Sequence, residues 1–102
     1  MVDMIKNLII APDIRDKLDD KHHVKEGEVH ECFMNHDGPY LEDTQEDHRT
    51  EPPTEWFIAT TDRGRLLKVI FVCRDGNIYL KSAFDANIKT QHIYSQLSKK
   101  QE

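Results

Sequence analysis

The sequence predicts an α+β domain in the order β-α-α-β-β-β-α, with a three-strand antiparallel meander and one N-terminal strand packed against helices. Three observations carry this. Two turn signals, "DRG" at 62–64 and "DG" at 75–76, cut the stretch after Glu55 into three runs rich in β-branched and aromatic residues. Two earlier stretches repeat apolar side chains at helical spacing. The length of 102 residues, with 37% hydrophobic residues, suits one modest core, so a single domain over 1–102 is expected.

The elements follow in order. "NLIIAP" at 7–12 is short, apolar and stopped by Pro12, a first strand. Asp13 is a candidate cap for a helix whose Ile14, Leu18 and His22 recur at i, i+4 and i+8. "VKEGEVHECFMN" offers a second helix, with Val24 and Val29 as a hydrophobic staple around Lys25 and Glu28, and with Val29, Cys32 and Phe33 on its buried face. "NHDGP" at 35–39 stops it.

The strands of the meander are expected at 56–61, 65–74 and 77–83. Alternation sends Leu67, Val69, Phe71 and Cys73 to one face and Lys68, Ile70, Val72 and Arg74 to the other. On the next strand Asn77, Tyr79 and Lys81 oppose Ile78, Leu80 and Ser82. The tail from Asp85, as capping residue, reads as a third helix packed on the sheet through Ala86, Ile93 and Leu97, with Lys99 and Lys100 at its negative end.

Charge is divided unevenly along the chain. Residues 1–55 hold 15 acids against 6 bases, and residues 56–102 hold 4 acids against 8 bases. A polyanion would meet the second half, although the net charge of −5 argues against indiscriminate nucleic-acid binding. Cys32 and Cys73 read as buried free thiols of a reducing compartment. The apolar run near the start is too short for a signal-peptide core or a membrane span, so a cytoplasmic location is expected.

"DTQEDHRTEPPTEW", residues 43–56, joins the second helix to the meander and holds the sharpest candidate chemistry. Connections of this length are usually functional or disordered. His48 and Arg49 pair a general acid/base with a planar phosphate clamp in a segment otherwise rich in acids. Asp43 and its acidic neighbours either support those cations or solubilise the loop. Pro52 and Pro53 stiffen its end. His22 is either a boundary histidine bonded to backbone or a proton carrier at a cleft edge. Lys68 and Lys81, if register brings them to one surface with Arg65, form a basic patch able to meet RNA. The six histidines and two cysteines show no zinc spacing, and dinucleotide, P-loop and serine-esterase motifs do not occur.

Laid end to end, "KHHV", "EVHECF", "EDTQEDHRT", "WFIATTDRGRLLKVIFV" and "IYLKSAFDANIKTQHIY" resemble the BrnT-type toxins of bacterial toxin–antitoxin pairs, small relatives of the RelE ribonuclease fold. The resemblance runs from about Arg15 to Tyr94. It implies ribonuclease activity leading to translation arrest, and a small antitoxin protein covering the active surface. The matching positions are Lys21 and His22, Asp43 and Arg49 of the loop, and Gly64 and Arg65 at the strand. After "SA", where BrnT-type chains usually continue with arginines, this chain has Phe84 and Asp85.

The chemistry so implied needs no metal or other cofactor. The 2′-hydroxyl of RNA attacks the adjacent phosphate while cations stabilise the developing charge. His48 or His22 is the expected acid/base, Arg49 and Arg65 the phosphate ligands, and Lys21, Lys68 and Lys81 the RNA contacts, with Asp43 in support. The competing expectation is a toxin-like protein-binding module without cleavage, favoured by the missing arginines and the acidic first half. Hydrolysis of protein-linked ADP-ribose fits neither the length nor the residue pattern. A basic cleft that gathers residues 22, 49, 65 and 81 favours the enzyme, whereas scattered side chains favour the module.

Overall fold

Residues 7–43 and 52–100 are described by the computed structural model. They form an α+β fold with three helices and an open five-stranded sheet. In chain order the elements are β1 (Leu8–Ile9), α1 (Pro12–Lys17) running into a π-helical turn (Leu18–His22), α2 (Glu26–Asn35), β2 (Leu41–Glu42), β3 (Thr54–Thr60), β4 (Leu66–Arg74), β5 (Asn77–Asp85) and α3 (Ile88–Lys100). The sheet order is β1-β5-β4-β3-β2, antiparallel except for β1, which lies parallel to β5 through Leu8 opposite Ile78.

The meander matches its turn signals. Asp75 and Gly76 both take positive φ, 54° and 81°, the backbone a two-residue hairpin turn requires. Gly64, at φ 85°, shapes the wider turn, where the Thr61 amide donates to the Arg65 carbonyl at 2.8 Å.

The first helix departs from expectation. It begins at Pro12, whose missing N–H costs nothing at a first turn, and Asp13 lies within that turn rather than capping it. The last turn widens, and His23 in the left-handed conformation ends it, so that the Val24 amide reaches back to the Leu18 carbonyl at 3.0 Å. In α2, Glu28 accepts from the Lys25 amide at 3.0 Å, and the staple residues Val24 and Val29 are both buried.

One face of the sheet carries the main core. Phe57, Leu67, Val69, Phe71, Leu80 and Ala83 meet Leu18, Val24, Val29, Cys32 and Phe33 from the helical side. Each large side chain here contributes about 2 kcal/mol of burial free energy. The opposite face holds a smaller cluster of Leu41, Trp56 and Ile58, against which Leu66, Ile70, Ala86 and Tyr94 pack.

Two expectations on this second face need correction. Asp85 does not cap α3: Asn87 does, its Oδ1 accepting from the Thr90 amide at 2.7 Å. Ile93 and Leu97 do not form the packed side of α3, being 42% and 37% exposed. Tyr94 is the residue that docks, 5.5 Å from the Trp56 ring.

Register also shifts on β5. Ile70 pairs with Ser82 but Phe71 pairs with Leu80, which leaves Lys81 as the extra residue of a β-bulge. The strict alternation expected of residues 77–83 therefore breaks at Lys81, and Ala83 instead of Ser82 joins the core.

Candidate functional site

Arg65 sits where β4 begins, on the same side of the strand as Leu67, and it is surrounded by acceptors. Its Nε donates to Asp85 Oδ1 at 2.7 Å and its Nη2 to Asp85 Oδ2 at 3.2 Å. Its Nη1 donates to the His23 carbonyl at 2.7 Å and to Glu28 Oε1 at 3.3 Å, and its Nη2 to the His22 carbonyl at 2.9 Å. A guanidinium has five N–H donors, and these acceptors use all of them. The hydrogen bonds that Arg65 donates to Asp85, ahead of the charges of Asp85 and Glu28, hold the Arg65 pKa above its usual value, against a lowering by burial. Arg65 thus ties the π-helical turn and α2 to the end of the sheet, with no donor left to face a phosphate.

Lys68 lies one residue out of phase with Leu67 and so emerges on the other face of β4. Its Nζ stands 4.5 Å from the centroid of the Trp56 ring and 6.0 Å from that of Phe84, its pairing partner on β5. Burial lowers its pKa, and the negative charge of Asp43 opposes that shift. An ammonium over an indole face is stabilised by the ring quadrupole, which also opposes the lowering.

These residues belong to a groove of about 540 Å³ between α3 and the exposed side of the sheet. Trp56, Ile70 and Phe84 line it from the strands, and Ile93 and Leu97 from α3. Lys89 stands on the helix side, and Glu42 and Asp43 on the side of β2. Asp43 is placed by its backbone, its amide donating to the Thr54 carbonyl at 2.7 Å.

His22 approaches the same region from the end of the π-helical turn. Its ring is 5.4 Å from that of Phe84, tilted by 46°. Phe84 thus has the imidazole of His22 and the ammonium of Lys68 within 6.0 Å of its centroid. Lys21 is exposed on the same turn. The candidate pair His48 and Arg49 lies outside the described residues.

The expected surface joining Arg65, Lys68 and Lys81 does not form. Arg65 and Lys68 lie on opposite faces of β4, and Lys81 is exposed at the bulge while Phe84 takes the position opposite Lys68. Sequence reading also missed Phe84 and Trp56 as parts of the groove. Their signal was present, since Trp56, Lys68 and Phe84 fall in phase across three strands once the bulge is known.

A second concavity of about 560 Å³ lies near the start of α2, lined by Lys25, Glu28, Glu31, Asp62 and Arg63. Its acceptors are largely engaged within the protein: Glu31 Oε1 takes the Asp62 amide at 2.8 Å, Asp62 Oδ1 takes Asn35 Nδ2 at 2.9 Å, and Glu28 takes Arg65. Among the described residues no three His, Cys, Asp or Glu side chains gather as a metal-binding group, and no helix is long and apolar enough to cross a membrane.

No family model matches this chain, and comparisons with curated proteins and with solved structures return no match.

Proposed function

We propose that this chain is a toxin-like protein-binding module with a RelE-like fold, one half of a cytoplasmic bacterial toxin–antitoxin pair, and that a small partner protein sits on the α3 side of its sheet. The observation that carries the reading is the contrast around β4. On one face Arg65 directs every donor into the protein. On the other face Trp56, Ile70, Phe84, Ile93 and Leu97, with charged residues of both signs, line a groove among the described residues. Apolar side chains beside charges of both signs suit a protein surface, whereas cleavage of RNA needs free cations gathered around one phosphate. The resemblance to BrnT-type toxins supports the pairing with an antitoxin.

A second reading, a metal-independent endoribonuclease that arrests translation, draws support from His22 and Lys68 flanking Phe84, which puts an acid/base and a cation at the same ring. In that reading RNA is the substrate, and Arg49 supplies the phosphate ligand that Arg65 cannot.

Induced expression separates the two, with growth followed and total RNA sampled for new ends. The binding module gives normal growth and intact RNA at verified expression. Arrest with new RNA ends, both lost in an Arg49→Ala variant of unchanged melting temperature, would replace it with the ribonuclease.

A further inference from the structure

Lys68 is the cation of the groove that lies over an aromatic face. Its ammonium lies over Trp56 at 4.5 Å, half-buried, and among the described residues it donates no hydrogen bond. An aromatic face replaces only part of the hydration such a group gives up. Beside it, Ile93 and Leu97 present two aliphatic side chains one helical turn apart, both more than a third exposed, continuous with Phe84 and Ile70 on the strands.

We infer that the groove takes a segment of a partner protein that lays apolar side chains on Ile93, Leu97 and Phe84 and directs a single carboxylate at Lys68. The inference rests on the binding-module reading above and supplies the chemistry of its partner. The charges along the groove decide between a protein and a nucleic acid. Lys68 and Lys89 stand on the floor and on α3, but Glu42 lines the side of β2. A nucleic-acid strand carries a phosphate at every nucleotide and would bring one against this acid. A peptide can place one carboxylate at Lys68 and keep a neutral or basic group beside Glu42, a sign pattern that also fixes its direction. A carboxylate seated on a half-buried ammonium makes a charge-assisted hydrogen bond, the kind whose loss weakens binding about tenfold or more.

The test uses the full chain with its lysine side chains and its isoleucine and leucine methyls labelled for NMR. The probes are three blocked synthetic peptides that share a leucine pattern and differ only in carrying glutamate, glutamine or lysine between the leucines, and a short oligouridylate. The glutamate peptide is expected to shift the Lys68 signals and the methyls of Ile93 and Leu97, and to bind about tenfold more tightly than the glutamine peptide. That advantage should vanish in Lys68→Gln and return in Lys68→Arg, while Ile93→Asp weakens both peptides. Equal binding of the three peptides, or preference for the lysine peptide, would overturn the carboxylate and leave the binding module standing. Movement of Lys68 with oligouridylate alone would overturn both. No movement of Lys68 with any probe would overturn the carboxylate inference, the module then being decided by the growth and RNA experiment.

Discussion

Arg65 and Asp85 meet as a two-pronged pair across the ends of β4 and β5, Nε to Oδ1 at 2.7 Å and Nη2 to Oδ2 at 3.2 Å. The carboxylate orients the fork of the guanidinium, and the remaining donors then fall on the carbonyls of His22 and His23 and on Glu28. A residue that reads in sequence as a phosphate ligand is in this fold the tie between a helical turn and a sheet.

Removing that tie should cost stability. Arg65→Ala leaves the two carbonyls without the donor Arg65 supplies and Glu28 and Asp85 without their ion pair, and a loss of about 2 kcal/mol is expected in denaturant unfolding. Arg65→Lys should recover little of it, because one ammonium cannot span a carboxylate and two carbonyls. A loss below about 0.5 kcal/mol in Arg65→Ala would show that the turn is held by other means.

The acid limb of stability should report the same pair. Hydrogen bonding from Arg65, with its charge and that of His22, holds the Asp85 pKa below its ordinary 3.8, against a raising by burial. A carboxyl depressed in the folded state stabilises above its unfolded pKa, and that contribution fades as pH falls through the folded value. The gap in stability between wild type and Asp85→Asn should therefore be present above the ordinary carboxylate range and close as pH falls below it. Since the Asp85 side chain is 70% exposed, the gap should be under about 1 kcal/mol. A gap that widens on acidification would remove Asp85 from this account.

Docking of α3 depends on a close approach at Gly38. The Tyr94 hydroxyl donates to the Pro39 carbonyl at 2.7 Å, and a Cβ on Gly38 would fall on that hydroxyl. Gly38→Ala should displace Tyr94 and alter the fluorescence of Trp56, against which Tyr94 packs. Tyr94→Phe, which keeps the ring and loses the hydrogen bond, should cost about 1 kcal/mol and change the emission less. Identical spectra for wild type and Gly38→Ala would show that the backbone yields there.

The two thiols should differ in reactivity. Cys32 is fully buried and its pKa is pushed up to about 12, chiefly by burial and then by Glu31 and Glu28. Cys73, expected to be buried, is exposed near the end of β4, and its pKa is raised, first by partial burial and then by Glu55. A disulfide reagent at pH near 8 should label Cys73 in the folded chain and Cys32 only on unfolding. Rapid labelling of both would mean that α2 opens readily from the sheet.

The meander was legible because its signals are local. Asp75–Gly76 and Gly64 have backbone demands that composition announces, and runs of β-branched residues between them leave few alternatives. What escaped depends on partners distant in sequence. Nothing about Lys81 marks it as a bulge, since that follows from how β5 must pair with β4 to bury both Leu80 and Ala83. Asp85 reads locally as a helix cap, and only the fold brings Arg65 to it from 20 residues away. β2, two residues long, has no periodicity to detect. Of the candidate site, the residue types were visible in part, but which face each occupied was not.

The outer edge of β3 has consequences for how this protein can associate. Where β2 stops pairing, α2 takes over: Asn35 Nδ2 donates to the Thr60 carbonyl at 3.0 Å. A helix side chain thus occupies a main-chain acceptor that would otherwise template an incoming strand. Lateral extension of the sheet, whether by a partner's strand or by a chain of copies growing toward a fibre, finds that acceptor already taken at the end of β3, which steers recognition to side chains on faces and away from backbone at that part of the rim.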